Sequence, residues 1–307
     1  MLVFNIESSK KRGFGHLSRS LKIAELFKKE KIHFFINNNF ESKKILKKQK
    51  ISYSILKKNK HYICNILKNK KCKLLINDCM KLENFLVKIC KKNKIPILNF
   101  DGKKKDLDKA DVTINPFTFS NIKQNKRDFF FGSKYILNEK KKIRRKVRKK
   151  ITSILIMFGG SDTYNLTAQC INKLKFYKYK IGVICGPLTR LKRLKNIKVY
   201  KYPKNIFDVF YKYDLLICGG GLIPFEAAAS GLPSFIISCE KHEELNANYL
   251  SKKNLSIYLG NRKKIAKMKL NFNIDLNFLS KNCLKTIKPR GRNLIKKIIN
   301  KLLKKNA

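Results

Sequence analysis

The chain has 307 residues, 43% of them hydrophobic and 11% aromatic, about twice the usual domain length and ample for one or two buried cores. Its formal net charge is +52, carried almost entirely by Lys. Regular short apolar runs exclude a disordered chain, and none of them approaches the ~20 residues of a membrane span.

A basic balance of this size suits nucleic acid, an anionic lipid surface or an anionic substrate. Arg is sparse, however, and no aromatic-plus-basic signature appears, which speaks against a specific nucleic-acid partner. Lys, Asn and Ile are enriched together and share A/T-rich codons, so solvated lysines account for the charge without a partner. The nine cysteines contain no C-x-x-C pair and several sit in apolar runs, which reads as free buried thiols. No cofactor or metal cluster is expected. The opening residues already read as a strand, so the expectation is a cytoplasmic protein without signal peptide or stable membrane insertion, although its basic surface suits weak adhesion to anionic lipid. Nothing in the sequence sets an oligomeric state.

In chain order, Leu2–Ile6 is an apolar run, and Leu17–Lys29 has helical spacing with Leu17, Leu21, Ala24 and Phe27 on one face. His33–Ile36, Tyr53–Leu56, Leu74–Asn77, Ile95–Phe100 and Val112–Asn115 read as strands. Helical stretches fall at Ser42–Lys48, Ile63–Lys68 and Leu82–Lys92. This alternation predicts a parallel sheet covered on both faces. Between Asn138 and Lys150 the sequence is Lys/Arg-dense and reads as a solvated helix or linker. A second alternating series follows, with strands at Ile154–Phe158, Ile181–Cys185, Ile197–Tyr200, Leu215–Cys218, Ser234–Ile237 and Ser256–Leu259, and a last amphipathic helix from Asn293 to Leu303. The expected organisation is two Rossmann-like α/β domains, 1–150 and 151–307, with a ligand cleft between them.

Three loops place glycines after an apolar strand and before a helix, the corner where open α/β sheets bind ligands. The first is Gly13-Phe14-Gly15-His16-Leu17-Ser18-Arg19, which sets a titratable histidine at the first turn of a helix. The second is Met157-Phe158-Gly159-Gly160-Ser161-Asp162, where Ser161 and Asp162 also suit helix capping. The third, Cys218-Gly219-Gly220-Gly221-Leu222, leads into a helix carrying Glu226 one turn later, where a carboxylate can accept from a ribose diol. Asp78 and Asp101 fall at the carboxyl ends of strands, where each is a sugar- or water-orienting group or else a turn residue.

Together these loops resemble the glycosyltransferase-B architecture, and the run Glu226-Ala227-Ala228-Ala229-Ser230-Gly231-Leu232-Pro233 resembles the peptidoglycan N-acetylglucosaminyltransferase family. The opening Gly13–Ala24, Asn99-Phe100-Asp101-Gly102, Gly132–Leu137 and Pro289-Arg290-Gly291-Arg292 are most similar to the UDP-2,4-diacetamido-2,4,6-trideoxy-β-L-altropyranose hydrolases of pseudaminic acid biosynthesis. The resemblance implies that His16 is the catalytic group. It also implies that Gly15, Arg19, Asp78, Asp101, Gly160, Ser161, Gly220, Gly221, Leu222, Glu226 and Asn246 line the substrate site. The chain departs from that family in three places: Gly221 and Leu222 stand where a Ser-Thr follows the glycines, Cys79 and Met80 replace an x-Tyr, and the glutamine-containing sugar loop reads Cys239–Ala247 with glutamates.

The implied reaction is displacement of UDP from the anomeric carbon by water, with His16 taking the water's proton near its ordinary pKa of ~6.5. A surface-polysaccharide glycosyltransferase, with an acceptor hydroxyl in place of water, is the alternative within the same fold. A basic nucleic-acid-binding module is the remote alternative from another class.

Overall fold

The structure is a computed structural model that describes residues 1–8, 14–56, 60–69, 71–79, 81–101, 108–117, 128–137, 143–186, 189, 191, 196–201, 203 and 205–304. Gly13, Met80, Gly102 and the head of the basic run at 138–142 lie outside the described residues. The chain divides into two compact units, residues 1–137 with 290–307 and residues 138–289.

The first unit is one parallel sheet of β1 (Leu2–Ile6), β2 (Ile32–Ile36), β3 (Ser52–Ile55), β4 (Leu74–Asp78), β5 (Ile97–Phe100), β6 (Val112–Asn115) and β7 (Phe129–Phe131). Its helices are α1 (Gly15–Ala24), α2 (Phe40–Lys48), α3 (Lys60–Asn69) and α4 (Asn84–Lys92). The strand order β3-β2-β1-β4-β5-β6-β7 reverses between β1 and β4, which opens a crevice at the carboxyl ends of those two strands. Every residue of β1, β4 and β5 is buried, as expected of central strands covered on both faces.

Polar side chains interrupt these apolar strands at one register position. Asn5 pairs with Asn77, Asn77 with Asn99, and Asn99 with Thr113 across β1, β4, β5 and β6. Asn5 Nδ2 donates to Asn77 Oδ1 at 2.6 Å and Asn77 Nδ2 to Asn99 Oδ1 at 2.8 Å. This buried amide row locks the strand ends one residue before Asp78 and two before Asp101.

The second unit is a parallel sheet of β8 (Ser153–Met157), β9 (Lys180–Cys185), β10 (Ile197–Lys201), β11 (Leu215–Cys218), β12 (Ser234–Ser238) and β13 (Ser256–Asn261). It carries α5 (Leu166–Leu174), α6 (Ile206–Phe210), α7 (Ile223–Ala229), α8 (Lys241–Lys252) and α9 (Leu276–Thr286). The order β10-β9-β8-β11-β12-β13 reverses between β8 and β11. The two doubly wound parallel sheets are the fold class expected from the alternating pattern.

Three features depart from the sequence reading. Residues 143–149 form neither helix nor strand, in keeping with a linker, but Arg148 at their end is only 1% exposed rather than solvated. Its guanidinium donates to the carbonyls of Tyr213 (3.3 Å), Lys146 (2.6 Å), Phe210 (2.9 Å) and Ser230. Burial lowers its pKa to about 10, against partial compensation by Asp214. The basic run therefore ends in a structural bolt rather than in solvent. Secondly, β7 joins the edge of the first sheet, although a triple phenylalanine gave no strand of its own. Thirdly, the last helix, α10 (Gly291–Lys304), packs in the first unit, and the boundary falls at 137 rather than 150.

Two of the sequence motifs explain that return. The amides of Arg290 and Gly291 donate to the carbonyls of Lys134 (2.9 Å) and Ile136 (3.2 Å), zipping Pro289–Arg292 onto Gly132–Leu137. A Cβ on Gly291 would strike the Ile136 carbonyl, so only glycine fits. Arg292 Nη1 lies 3.5 Å from Glu25, and Ile295, Ile299 and Leu302 bury the apolar face of α10. Among the described residues no helix is long and apolar enough to cross a membrane. All nine cysteines are free.

Candidate active site

In the first unit the crevice between β1 and β4 holds a compact charged cluster. α1 begins at Gly15, so His16 stands in its first turn and Arg19 and Ser20 one turn further. Helical spacing brings all three over the end of β4, where Asp78 is the last residue. His16 Nδ1 lies 2.6 Å from Asp78 Oδ1. Arg19 donates through Nε to Asp78 Oδ2 (2.9 Å) and through Nη2 to Asp78 Oδ1 (2.5 Å), and Ser20 Oγ donates to Oδ2 (3.1 Å). Arg19 Nη2 also reaches Asp101 Oδ2, just past β5, at 2.5 Å, and its guanidinium carbon lies 4.9 Å from the centre of the Phe100 ring.

Asp78 is fully buried and all its acceptor capacity is spent inside the cluster. Burial alone pushes its pKa up, but Arg19 and His16 overcome this and hold it far below the usual carboxylate range. For His16, burial opposes the charged form, yet the charge and hydrogen bond of Asp78, aided by Asp101, raise its pKa above the ordinary value. His16 is thus a stronger base than the unperturbed imidazole expected from sequence. With two carboxylates and one guanidinium, the cluster keeps one uncompensated negative charge until His16 takes a proton. In the neutral ring, Nδ1–H donates to Asp78 and Nε2 is the acceptor, a tautomer set by that bond.

His16, Asp78 and Asp101 each place a metal-ligand-type atom within 4.8 Å of the others. The Arg19 guanidinium already supplies the positive charge that these groups surround, so the donor set is built around an organic cation. Arg19 and Asp78 are therefore load-sharing partners of His16 before they are contacts for any ligand.

The second unit turns its glycine loops to a different use. Asp162 Oδ1 and Oδ2 accept from the amides of Leu166 (2.8 Å) and Thr167 (3.0 Å), capping α5. Gly160 and Ser161 are half-buried beside it, with the Ser161 hydroxyl 3.1 Å from that of Thr163. In the third loop the amide of Gly220 donates to Glu243 Oε2 at 3.2 Å, and that oxygen also accepts from Cys239 N at 2.7 Å. Gly220 is required by this contact, since a Cβ there would lie 2.6 Å from the Glu243 carbonyl. Asn246, 3% exposed, donates Nδ2 to the Gly220 carbonyl at 2.6 Å and leaves Oδ1 without a partner. Gly221 and Leu222 are half-buried at the entrance to α7, and Glu226 is half-buried on its first turn. α7 has seven residues with Pro224 at its start, which removes one of the amides expected to face an anion.

Sequence reasoning singled out residues in both clusters. The structure brings Gly15, His16, Arg19, Asp78 and Asp101 to one sheet edge, and Gly220, Gly221, Leu222, Glu226 and Asn246 to another. It missed Glu243, although the loop that carries it was singled out. It also missed a stacked pair beside that loop, where Arg262 lies 3.5 Å above the Tyr164 ring and Tyr164 Oη donates to Glu240 at 2.7 Å. No local pattern marks either, because the contacts of Glu243 with Gly220, of Tyr164 with Glu240 and of Arg262 with Tyr164 join residues far apart in sequence.

Two doubly wound parallel sheets, each with polar loops at its reversal point, define the glycosyltransferase-B fold. No family model matches the chain. MurG of Acinetobacter baumannii superposes with a TM-score of 0.66 over 98% of this chain and 99% of that one, at 13% identity. In sequence, the chain is 28% identical over 281 residues to an uncharacterised protein of Methanocaldococcus jannaschii, covering 80% of this chain and 57% of that protein. It is also 28% identical over 174 residues to the UDP-N-acetylglucosamine–N-acetylmuramyl-(pentapeptide) pyrophosphoryl-undecaprenol N-acetylglucosamine transferase of Finegoldia magna, covering 50% and 43%. The chain spans about half the length of these curated relatives.

Proposed function

We propose that the protein is a UDP-sugar-dependent glycosyltransferase in which the second unit holds the nucleotide and His16 activates the hydroxyl that attacks the anomeric carbon. The observation that carries this reading is the His16–Asp78 pair at the β1/β4 reversal of a glycosyltransferase-B fold. Asp78 fixes the imidazole tautomer and stabilises the imidazolium that forms, while Nε2 accepts the nucleophile's proton. As the new C–O bond forms, the bond to the phosphate oxygen breaks and its electron pair leaves with UDP. Glu226 is assigned to the ribose and the loop at Gly160 and Ser161 to the phosphates, with Gly221 and Leu222 lining the nucleotide site. The similarity to the Finegoldia transferase and to MurG supports transfer to an acceptor over hydrolysis.

A second reading is favoured by one observation: the Gly15-His16 loop and the zipped motifs at 132–137 and 289–292 resemble those of the nonulosonic-acid UDP-sugar hydrolases, in which water replaces the acceptor. The extreme positive charge is assigned to the solvated surface and not to a nucleic-acid partner. Incubation with a panel of UDP-sugars decides between the two. UDP release that depends on an added acceptor supports transfer, acceptor-free release with free sugar supports hydrolysis, and no UDP release or binding overturns both.

A further inference from the structure

Within the catalytic cluster the two aspartates are not equivalent. Asp78 has no acceptor capacity left, whereas Asp101 uses only Oδ2, toward Arg19. Asp101 Oδ1 is buried with no hydrogen-bond partner, and so is Arg19 Nη1. These two atoms belong to the two ends of one 2.5 Å ion pair. A sealed acceptor beside a sealed donor is costly unless something satisfies both, at about 1–3 kcal/mol for each unpaired group. Asp101 also holds a left-handed backbone, φ 54°, a conformation that concentrates at working sites. His16 stands beside this pair, with one ligand-type nitrogen of its ring and one carboxylate oxygen of Asp101 within 4.8 Å of each other.

We propose that the Arg19–Asp101 pair is the seat of the nucleophile: a neutral hydroxyl, from water or an acceptor alcohol, accepts from Arg19 Nη1 and donates toward Asp101 Oδ1 or His16. Asp101 is then a catalytic residue that aims the hydroxyl, and His16 is the base that removes its proton. An anionic oxygen does not fit the seat, because Asp101 repels it; a hydroxyl with one donor and two acceptor positions does. Arg19 lowers the cost of the alkoxide character that develops as the proton moves to His16. The proton ends on His16 and the oxygen's electron pair forms the new bond to the anomeric carbon. This inference rests on the glycosyl-displacement reading above and deepens it by locating where the attacking group binds.

The test uses the full chain with Asp101→Gly, which suits the left-handed backbone and deletes the carboxylate, and Asp101→Asn, which is isosteric and also at ease there. UDP release from UDP-N-acetylglucosamine and UDP affinity are measured for each, with and without added formate. The expected result for Asp101→Gly is a fall in kcat of about 10²-fold with UDP affinity within about twofold of wild type. Formate, which re-enters the vacated carboxylate position, restores at least about tenfold of the loss. Asp101→Asn should lose about tenfold and gain nothing from formate, and it carries the test if the glycine variant does not fold. A folded Asp101→Gly protein with normal kcat, or with a loss that formate leaves untouched, overturns the seat while leaving the glycosyl-displacement reading intact. A wild-type protein that neither binds UDP nor releases it overturns both.

Discussion

The two sheet-reversal points use carboxylates in opposite ways. In the first unit Asp78 and Asp101 converge with His16 and Arg19 into a cluster that leaves Asp101 Oδ1 and Arg19 Nη1 buried without hydrogen-bond partners. In the second, Asp162 and Glu243 turn inward and satisfy the amides of the glycine-loop regions, at α5 and at Gly220 and Cys239. One crevice gathers titratable groups around a raised-pKa histidine; the other is self-capped by the protein's own carboxylate. The same loop signature in sequence thus leads to a cluster of titratable side chains in one place and to internal closure in the other.

The comparison breaks most decisively at His16. His16→Asn should lower turnover by ~10²–10⁴ while UDP affinity stays unchanged, since that substitution removes proton acceptance and nothing from the second unit. A well-folded variant with near-normal turnover would strip the first cluster of its role. Asp78→Asn should cost about 10²-fold in turnover and move the pH profile as well. A general base works deprotonated, so a rate carried by His16 should climb as pH rises through its elevated pKa. Without the Asp78 charge that pKa falls, and the rising limb moves to lower pH; a limb that stays in place would separate Asp78 from His16. Linkage gives the matching stability change. The depressed pKa of Asp78 contributes stability above pH ~4 that is lost as pH falls toward its folded value. The raised pKa of His16 contributes stability that is fully present below pH ~6.5 and lost as pH rises through its folded value. Urea unfolding of wild type and variant between pH 2 and 8 reads both.

A purely structural charge sharpens the contrast. Arg148→Met leaves buried carbonyls unpaired and should cost ~3–5 kcal/mol of unfolding free energy in urea titration, with the rate per folded molecule unchanged. In the second unit, Glu226→Ala should weaken UDP by ~1–3 kcal/mol in calorimetry. The smallest effect runs the other way. Glu243→Gln makes the internal occupant of Gly220 N and Cys239 N neutral, so UDP should bind about threefold tighter while uridine is unaffected. Equal affinity for UDP in both proteins would show that the loop's occupant and the diphosphate never meet.

The alternating strands were legible because central parallel strands must be apolar on both faces, and β1, β4, β8 and β11 carry that pattern openly. His16 was legible because a histidine after two glycines at a strand end has little to do in a core. Its raised pKa was not, because Asp78 reaches it from 62 residues away. Arg148 was hidden inside a Lys/Arg run, and carbonyl acceptors leave no trace in residue identity. The apolar stripe of α10 announced that the helix packs, but a stripe does not say against which sheet. Glu243 was hidden for the same reason: the aim of a carboxylate is a tertiary fact.

The zip between Gly132–Leu137 and Pro289–Arg292 has a consequence for how the molecule is made. The whole second unit is looped out between two halves of the first, so a chain emerging from the ribosome has the strands and His16 of the first unit early but must wait for its closing helix. During synthesis the inserted unit has every one of its parts before its host does. The half that begins first is the half that is finished last, and trimming α10 would damage the unit farthest from it in sequence.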